Sequence, residues 1–263
     1  KFYLRVKTEA ELRVAIDEKQ LKLYYQPVIN PETNQILGLE ALVRWQVGDE
    51  LRMPDQFISV AEDTRQIIPI GDWVMEEAIS TLAQWNKKYN RSLTMAVNVS
   101  AHQLSDTHLV QHWKDCLERH NVPAELIDIE ITETALLKDT IETHNTWVSL
   151  SDLKCRLSLD DFGTGYSSIS HLRNYPISVV KIDKSLIPLN DRDIRKIALM
   201  KGLVSMASIL GLEVIAEGVE TKYQVSLCKA FSILHVQGYY YAKPLHQKDI
   251  ENKYLNNTET KIN

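Results

Sequence analysis

The chain has 263 residues, 44% of them hydrophobic, and a net charge of −5. That length suits one α/β barrel of about 250 residues, and the acidic balance excludes the basic footprint of a nucleic-acid polymer binder. The three cysteines, Cys116, Cys155 and Cys228, form no CxxC pair, so neither a disulfide framework nor a zinc site is indicated and a reducing compartment is favoured.

No signal peptide or long apolar run occurs, so this segment is expected to be cytoplasmic without membrane contact of its own. The chain opens at Lys1 without a methionine. It is therefore read as a single domain, residues 1–263, excised from a longer protein whose upstream part holds a sensory or regulatory domain or a membrane anchor.

Thr8 and Glu11 read as a capping box opening a lead-in helix within residues 1–20, with Leu12, Ala15 and Ile16 as its apolar face. Leu21 to Ile29 and Ile36 to Trp45 read as two strands joined by the turn Asn30–Asn34, a hairpin. Phe57, Ile58 and Ala61 predict a short helix; Val74, Ala78, Leu82 and Trp85 predict a longer one. From there strand and helix patterns alternate. Strands are predicted at Leu93–Val99, Leu126–Ile131, around Leu157, at Ile177–Ile182, Leu212–Ala216 and Ile233–Gly238. Helices lie between them, with apolar faces at Leu109, Trp113, Cys116 and Leu117, then Leu137, Ile141 and Val148, then Ile197, Met200, Val204 and Ala207. Asn121–Pro123 and Gly211 end the first and the last of these. Repeated strand–helix units imply a parallel sheet, and about eight strands imply closure into a barrel over residues 21–245. The tail, residues 256–263, is polar.

One polar residue or pair stands in or just past almost every strand: Glu40, Asn98, Glu130, Asp160 with Asp161, Lys181, Glu217 and Gln237. Singly, each admits a plainer role. Glu40 fits an edge-strand surface charge, Asn98 a helix cap, Glu130 and Glu133 a solvent face, Lys181 an ion pair with Asp183, and the Asp160–Asp161 pair a helix start. Jointly, they would converge at the carboxyl ends of barrel strands, where charge is costly without cations. Hard oxygen ligands without histidine or cysteine select Mg²⁺ or Mn²⁺. Lys181 is read as orienting or deprotonating a metal-bound water.

The segments GLEALVRW at Gly38, NVS at Asn98, EITE at Glu130, DDFGTGYSS at Asp160, KID at Lys181, AEGVE at Ala216 and QGYYYAKPL at Gln237 together resemble the EAL domain family, which hydrolyses cyclic di-GMP. The resemblance implies a modified TIM barrel with one antiparallel early strand, and metal-dependent opening of cyclic di-GMP to linear 5′-pGpG. It implies two Mg²⁺ or Mn²⁺ ions per site and inhibition by Ca²⁺. By motif, Glu40, Asn98, Glu130 and Asp160 resemble the ligands of one metal. Asp160 bridges to a second, completed by Asp161 and Glu217. Lys181, with Glu217, resembles the catalytic set. Glu133 matches the anchor of the loop after Asp161. Gln26, Leu42, Arg44, Asp183, Glu220 and Gln237 match positions around the substrate. A homodimer through Tyr166–Leu172 and the helix near Ile194 is implied too. The alternative is a cyclic di-GMP receptor without hydrolysis. The sequence departs from the family after Trp45, where QVGDELRMP lacks the usual histidine-proline and glycine turn, and at Arg65, where glycine is usual.

Overall fold

The computed structural model describes residues 2–136, 140–164 and 174–256. The predicted hairpin forms from β1 (Leu21–Ile29) and β2 (Ile36–Val47), paired antiparallel with Gln26 opposite Glu40. The Asn30 side-chain carbonyl accepts the backbone N–H groups of Glu32 (2.9 Å) and Thr33 (3.2 Å), and Asn34 takes a left-handed conformation (φ 57°), which asparagine tolerates. A short β3 (Glu50–Arg52) folds back on β2 around Gly48 (φ 57°). The segment after Trp45, which departs from the family motif, is built as a hairpin extension that turns at Gly48.

The parallel strands follow as β4 (Thr94–Asn98), β5 (Ile127–Thr132), β6 (Arg156–Phe162), β7 (Val179–Ile182), β8 (Glu213–Ala216) and β9 (His235–Val236). The sheet runs β1-β2-β4-β5-β6-β7-β8-β9 and closes where β9 pairs with β1, Ile29 opposite Val236. β1 is antiparallel to both neighbours, and every other barrel pairing is parallel. This is the modified barrel with one antiparallel early strand. A further strand, β10 (Leu245–His246), pads β1 from outside the ring.

Helices cover the barrel. α1 (Phe2–Leu12) leads in, α2 (Ile58–Asp63) and α3 (Ile67–Tyr89) follow β3, and α4 (Ala101–Leu104) and α5 (Leu109–His120) follow β4. After β5 come α6 (Glu133–Leu136) and α7 (Ile141–Asp152); α8 (Ile194–Ile209), α9 (Lys222–Ala230) and α10 (Gln247–Ile250) complete the set. Trp85, Trp113 and Trp147, from α3, α5 and α7, are buried. Alternation along β1 sends Tyr25 outward, where its ring meets Trp85 edge-on (centroids 4.9 Å) and its hydroxyl bonds Thr81 Oγ1 (3.1 Å), and sends Gln26 inward.

Two local expectations are corrected. α1 starts at Phe2, so Thr8 lies inside the helix, buried, and Glu11 pairs with Arg52 (2.6 Å) rather than capping. α7 is capped by Thr140, which accepts from Thr143 N (3.2 Å), but it buries Thr143, Trp147 and Leu150 while Ile141 and Val148 are exposed. The two faces differ by roughly half a turn, and the large indole decides which one packs. Leu137, placed on that face by sequence, lies outside the described residues. Arg65 does occupy a left-handed position (φ 59°), the conformation that makes glycine the easier residue there.

Candidate active site

The carboxyl ends of the barrel strands collect the polar residues that sequence placed there. Asn98, the last residue of β4, sits opposite Glu130 of β5, and Asp160 of β6 sits opposite Thr132. Ser100, not Asn98, caps α4, accepting from Gln103 N (3.4 Å). Glu40 belongs to an interior strand and is 6% exposed; Glu130 and Glu133 are buried as well. The surface and capping readings of these residues therefore fail.

Lys181 of β7 is the centre. It is 1% exposed, and its Nζ lies 2.7 Å from Glu217, 2.8 Å from Glu130, 3.3 Å from Glu40 and 3.7 Å from Asp160. Glu40 also accepts from Asn98 Nδ2 (2.8 Å) and Gln237 Nε2 (2.7 Å). Gln237 in turn donates to Gln26 Oε1 (3.0 Å), and Gln26 donates to the Ala242 carbonyl (3.0 Å). Gln237 reaches this place because Gly238 lets the chain press against Val219, where a Cβ would come within 2.3 Å of the Val219 backbone.

Four carboxylates against one ammonium leave an excess of three negative charges when all are ionised. The strain shows in the acid–base balance. Burial pushes Glu130 well up, and repulsion from Glu40 adds to it. Burial likewise raises Glu217 to about 7. For Glu40 burial is outweighed by Lys181 and by the Gln237 and Asn98 hydrogen bonds, which hold it below the usual carboxylate range. Desolvation of Lys181 is outweighed by Glu130, Glu217, Glu40 and Asp160, so it stays protonated. Glu130 Oε2 is buried and meets no hydrogen-bond donor among the described residues. Hard oxygen donors with surplus negative charge and an unpartnered buried oxygen fit Mg²⁺ or Mn²⁺.

Asp161 stands apart. It adopts a left-handed conformation (φ 57°), held by Thr164, whose N–H and hydroxyl both donate to its carbonyl (3.2 and 2.8 Å). For a non-glycine residue that costs roughly 1 kcal/mol. The Asp161 carboxyl makes no ion pair with Lys181 among the described residues, and burial followed by Asp160 repulsion raises its pKa. Glu133 Oε2 accepts Gly163 N–H (3.3 Å), tying α6 to the loop that follows Asp161.

Two cavities open beside the cluster. One, about 200 Å³, is lined by Gln26, Glu40, Leu42, Asp183, Glu217, Glu220 and Gln237. The other, about 540 Å³ and mostly apolar, is lined by Glu40, Leu42 and Asn98 with Ile58, Ile67 and Ile70. Asp183 also accepts Ser185 N–H (2.9 Å). Arg44 lines neither cavity among the described residues; it is buried, donates to the Val43 carbonyl (2.8 Å) and lies 5.7 Å from the Tyr24 ring centroid. Sequence reasoning missed Lys184 and Tyr239, which line the smaller cavity. The aromatic run after Gln237, of which Tyr239 and Tyr240 are exposed and Tyr241 is buried, was the available signal for Tyr239.

Comparison with known proteins agrees with this geometry. The model of the EAL domain family matches residues 9–244. The signaling protein YkoW of Bacillus subtilis is 35% identical over 249 residues, 94% of this chain and 31% of that protein. The cyclic di-GMP phosphodiesterase NbdA of Pseudomonas aeruginosa is 37% identical over 241 residues, 90% of this chain and 30% of that protein. The chain thus spans less than a third of these relatives. A solved structure described as the PaMucR phosphodiesterase in a c-di-GMP complex superposes with a TM-score of 0.87 at 32% identity, covering 93% of this chain and 99% of that one. With a closed barrel, a carboxylate cluster at its carboxyl end and a match from the lead-in helix to the last barrel strand, the chain belongs to the EAL domain family.

Proposed function

We propose that the chain hydrolyses cyclic di-GMP to linear 5′-pGpG with two divalent cations, Mg²⁺ or Mn²⁺. The observation that carries this reading is the unbalanced cluster around Lys181, buried yet bordered by two cavities. Glu40, Asn98, Glu130 and Asp160 would hold one cation; Asp160, Asp161 and Glu217 would hold the other. Bound there, the cations would lower the pKa of a water and stabilise charge on the phosphodiester oxygens. Lys181, which its carboxylate neighbours keep protonated in the metal-free chain, would orient or deprotonate the attacking water. Glu217, whose carboxyl burial raises to about 7, would give up its proton on taking the cation. Leu42 borders both cavities, which suits a ligand with two halves joined by phosphates. Arg44 presents a guanidinium suited to one of those phosphates, and Gln26, Asp183, Glu220 and Gln237 supply polar contacts around the smaller cavity. Glu133 anchors the loop after Asp161 through Gly163.

A homodimer forms part of the proposal. Ile194, Leu199 and Ile209 of α8 are exposed, an apolar set that a second copy would cover. The other expected contact, Tyr166–Leu172, lies outside the described residues. Sedimentation at high concentration tests it, and a persistent monomer overturns it. Among the described residues no helix is long and apolar enough to cross a membrane; a cytoplasmic site of action and an upstream regulatory domain belong to the proposal.

The test of hydrolysis is incubation with cyclic di-GMP and Mg²⁺, Mn²⁺, Ca²⁺ or chelator, followed by nucleotide chromatography. Linear pGpG with Mg²⁺ or Mn²⁺ alone is expected. Intact nucleotide with binding seen by calorimetry would replace hydrolysis with the receptor reading. Absence of both would overturn the assignment.

A further inference from the structure

In the helical layer outside the barrel, α5 carries His112, Cys116 and His120 one helical turn apart, and α3 faces them with Asp72 and Glu76. Residues four apart share one helix face, so these side chains form a stripe along the α3–α5 seam. His120 Nε2 lies 2.6 Å from Glu76 Oε1, and Cys116 Sγ lies 3.3 Å from Glu76 Oε2. The sulfur, nitrogen and carboxylate oxygen all lie within 4.8 Å of one another. One turn earlier, His112 Nδ1 lies 3.4 Å from Asp72 Oδ1.

We propose that Glu76, Cys116 and His120 form a zinc site on the outer wall of the barrel, with a water as fourth ligand. The donor set is the argument. A hydrogen-bonded staple between helices needs no sulfur, whereas one thiolate, one imidazole and one carboxylate are a zinc set with one open position. Thiolate and carboxylate together carry the two negative charges that neutralise Zn²⁺. Burial fits as well: Cys116 is fully buried beneath, while the Glu76 and His120 side chains are 41% and 22% exposed and leave a path for the ion. The absence of a CxxC pair does not bear on this arrangement, because the spacing is Cys-x₃-His on a helix.

Binding has two costs. The Cys116 thiol, pushed up to about 12 by burial and Glu76, must release its proton to solvent as the metal–sulfur bond forms. Arg119, which donates to Glu76 Oε2, must move off that oxygen. Its side chain is 57% exposed, and Asp115 one turn back offers it another carboxylate.

Cobalt titration separates this site from the catalytic one, whose proposed ligands contain no sulfur. The metal-stripped chain should bind Co²⁺ with a thiolate-to-cobalt charge-transfer band, bleached by equimolar Zn²⁺. Cys116→Ser should abolish the band, and His120→Gln should abolish it or weaken binding at least 10-fold. At Zn²⁺ 100-fold above Kd, Tm should rise by roughly 5–10 °C in the wild type beyond any rise in either variant. A wild type without the band at saturating Co²⁺, or a band that survives in Cys116→Ser, overturns the proposal. His120→Gln keeps the cysteine, so it tests the site even if Cys116→Ser folds poorly.

Discussion

At the carboxyl end of the barrel strands four carboxylates surround the single ammonium of Lys181. At the amino end Asp128 of β5 and Glu213 of β8 meet Arg156 of β6 at 2.9 and 2.6 Å, and His235 Nε2 lies 3.5 Å from Glu213. The second cluster borders a cavity of about 190 Å³, yet its charges are nearly matched within the protein: one guanidinium stands against two carboxylates, burial pushes Asp128 up to about 6, and burial holds the His235 imidazole below its ordinary pKa, as a neutral partner of Glu213. The first cluster is not matched. Burying charge is tolerated where partners compensate it and is retained uncompensated where an outside ion completes it. The same barrel thus separates a structural charge cluster from the proposed catalytic one by stoichiometry rather than by burial.

The largest effect expected is on turnover. Glu40→Ala removes a carboxylate that also receives Asn98 and Gln237. Hydrolysis of cyclic di-GMP should fall on the order of 10³-fold, while circular dichroism and Tm stay near wild type because the carboxyl end loses surplus charge. Wild-type turnover at saturating Mg²⁺ would remove Glu40 from the metal set and erase the contrast between the ends. Arg156→Ala is the mirror experiment. It leaves Asp128, 4% exposed, without its cation, and urea unfolding should show a loss of about 3 kcal/mol. Turnover per folded molecule should stay within about 2-fold, since Arg156 pairs with Asp128 and Glu213 and, among the described residues, with no proposed ligand. A loss of turnover without a loss of stability would show that the amino end also serves function.

The two ends were not equally legible in the sequence. A lysine inside the apolar run of β7, and acids or amides at successive strand ends, gave the carboxyl end a pattern that repeats with the fold. Asp128, Arg156 and Glu213 stand at strand starts, where a charge reads as an ordinary boundary, and their pairing joins residues 28 and 57 apart. The hairpin of β1 and β2 was visible because its turn is local. The antiparallel closure of β1 on β9 depends on Ile29 meeting Val236, which no local pattern records. The α7 face failed for a related reason: Ile141 and Val148 are as periodic as Thr143, Trp147 and Leu150, and only the surface beneath chooses. The Cys116–His120 pair was hidden because cysteine spacing was read for CxxC alone.

A matched cluster on the outer wall extends the comparison. Glu251 accepts from Lys88 Nζ (2.7 Å), Tyr89 OH (2.9 Å) and Trp85 Nε1 (3.1 Å), fastening the C-terminal segment to α3. Burial alone would raise its pKa, but these donors, Lys88 foremost, hold it at about 2. A carboxyl depressed in the folded state contributes stability that is full above its unfolded pKa, near 4.5, and fades as pH falls toward 2. Glu251→Gln should therefore cost about 2 kcal/mol at pH 7 and roughly half of that at pH 3, read from urea unfolding at both pH values. A deficit independent of pH would mean that packing, not the charge, holds the segment.

The smallest effect expected has the opposite sign. Glu130 is buried among Glu40, Asp160 and Glu217, with one oxygen lacking a donor among the described residues. Lys181 would keep its 2.7 Å partner Glu217 if Glu130 were neutral. Glu130→Gln preserves size and removes one of the three surplus charges, so the chelator-treated protein should gain about 1 kcal/mol in urea unfolding. The gain is small because Glu130 already resists ionisation in the folded state. Adding Mg²⁺ should reverse the order, stabilising the wild type above the variant, because a ligand that binds only the native state adds to its stability. If Glu130→Gln were destabilising without metal, the carboxylates would be holding Lys181 at a net gain, and the carboxyl end would be as self-sufficient as the amino end.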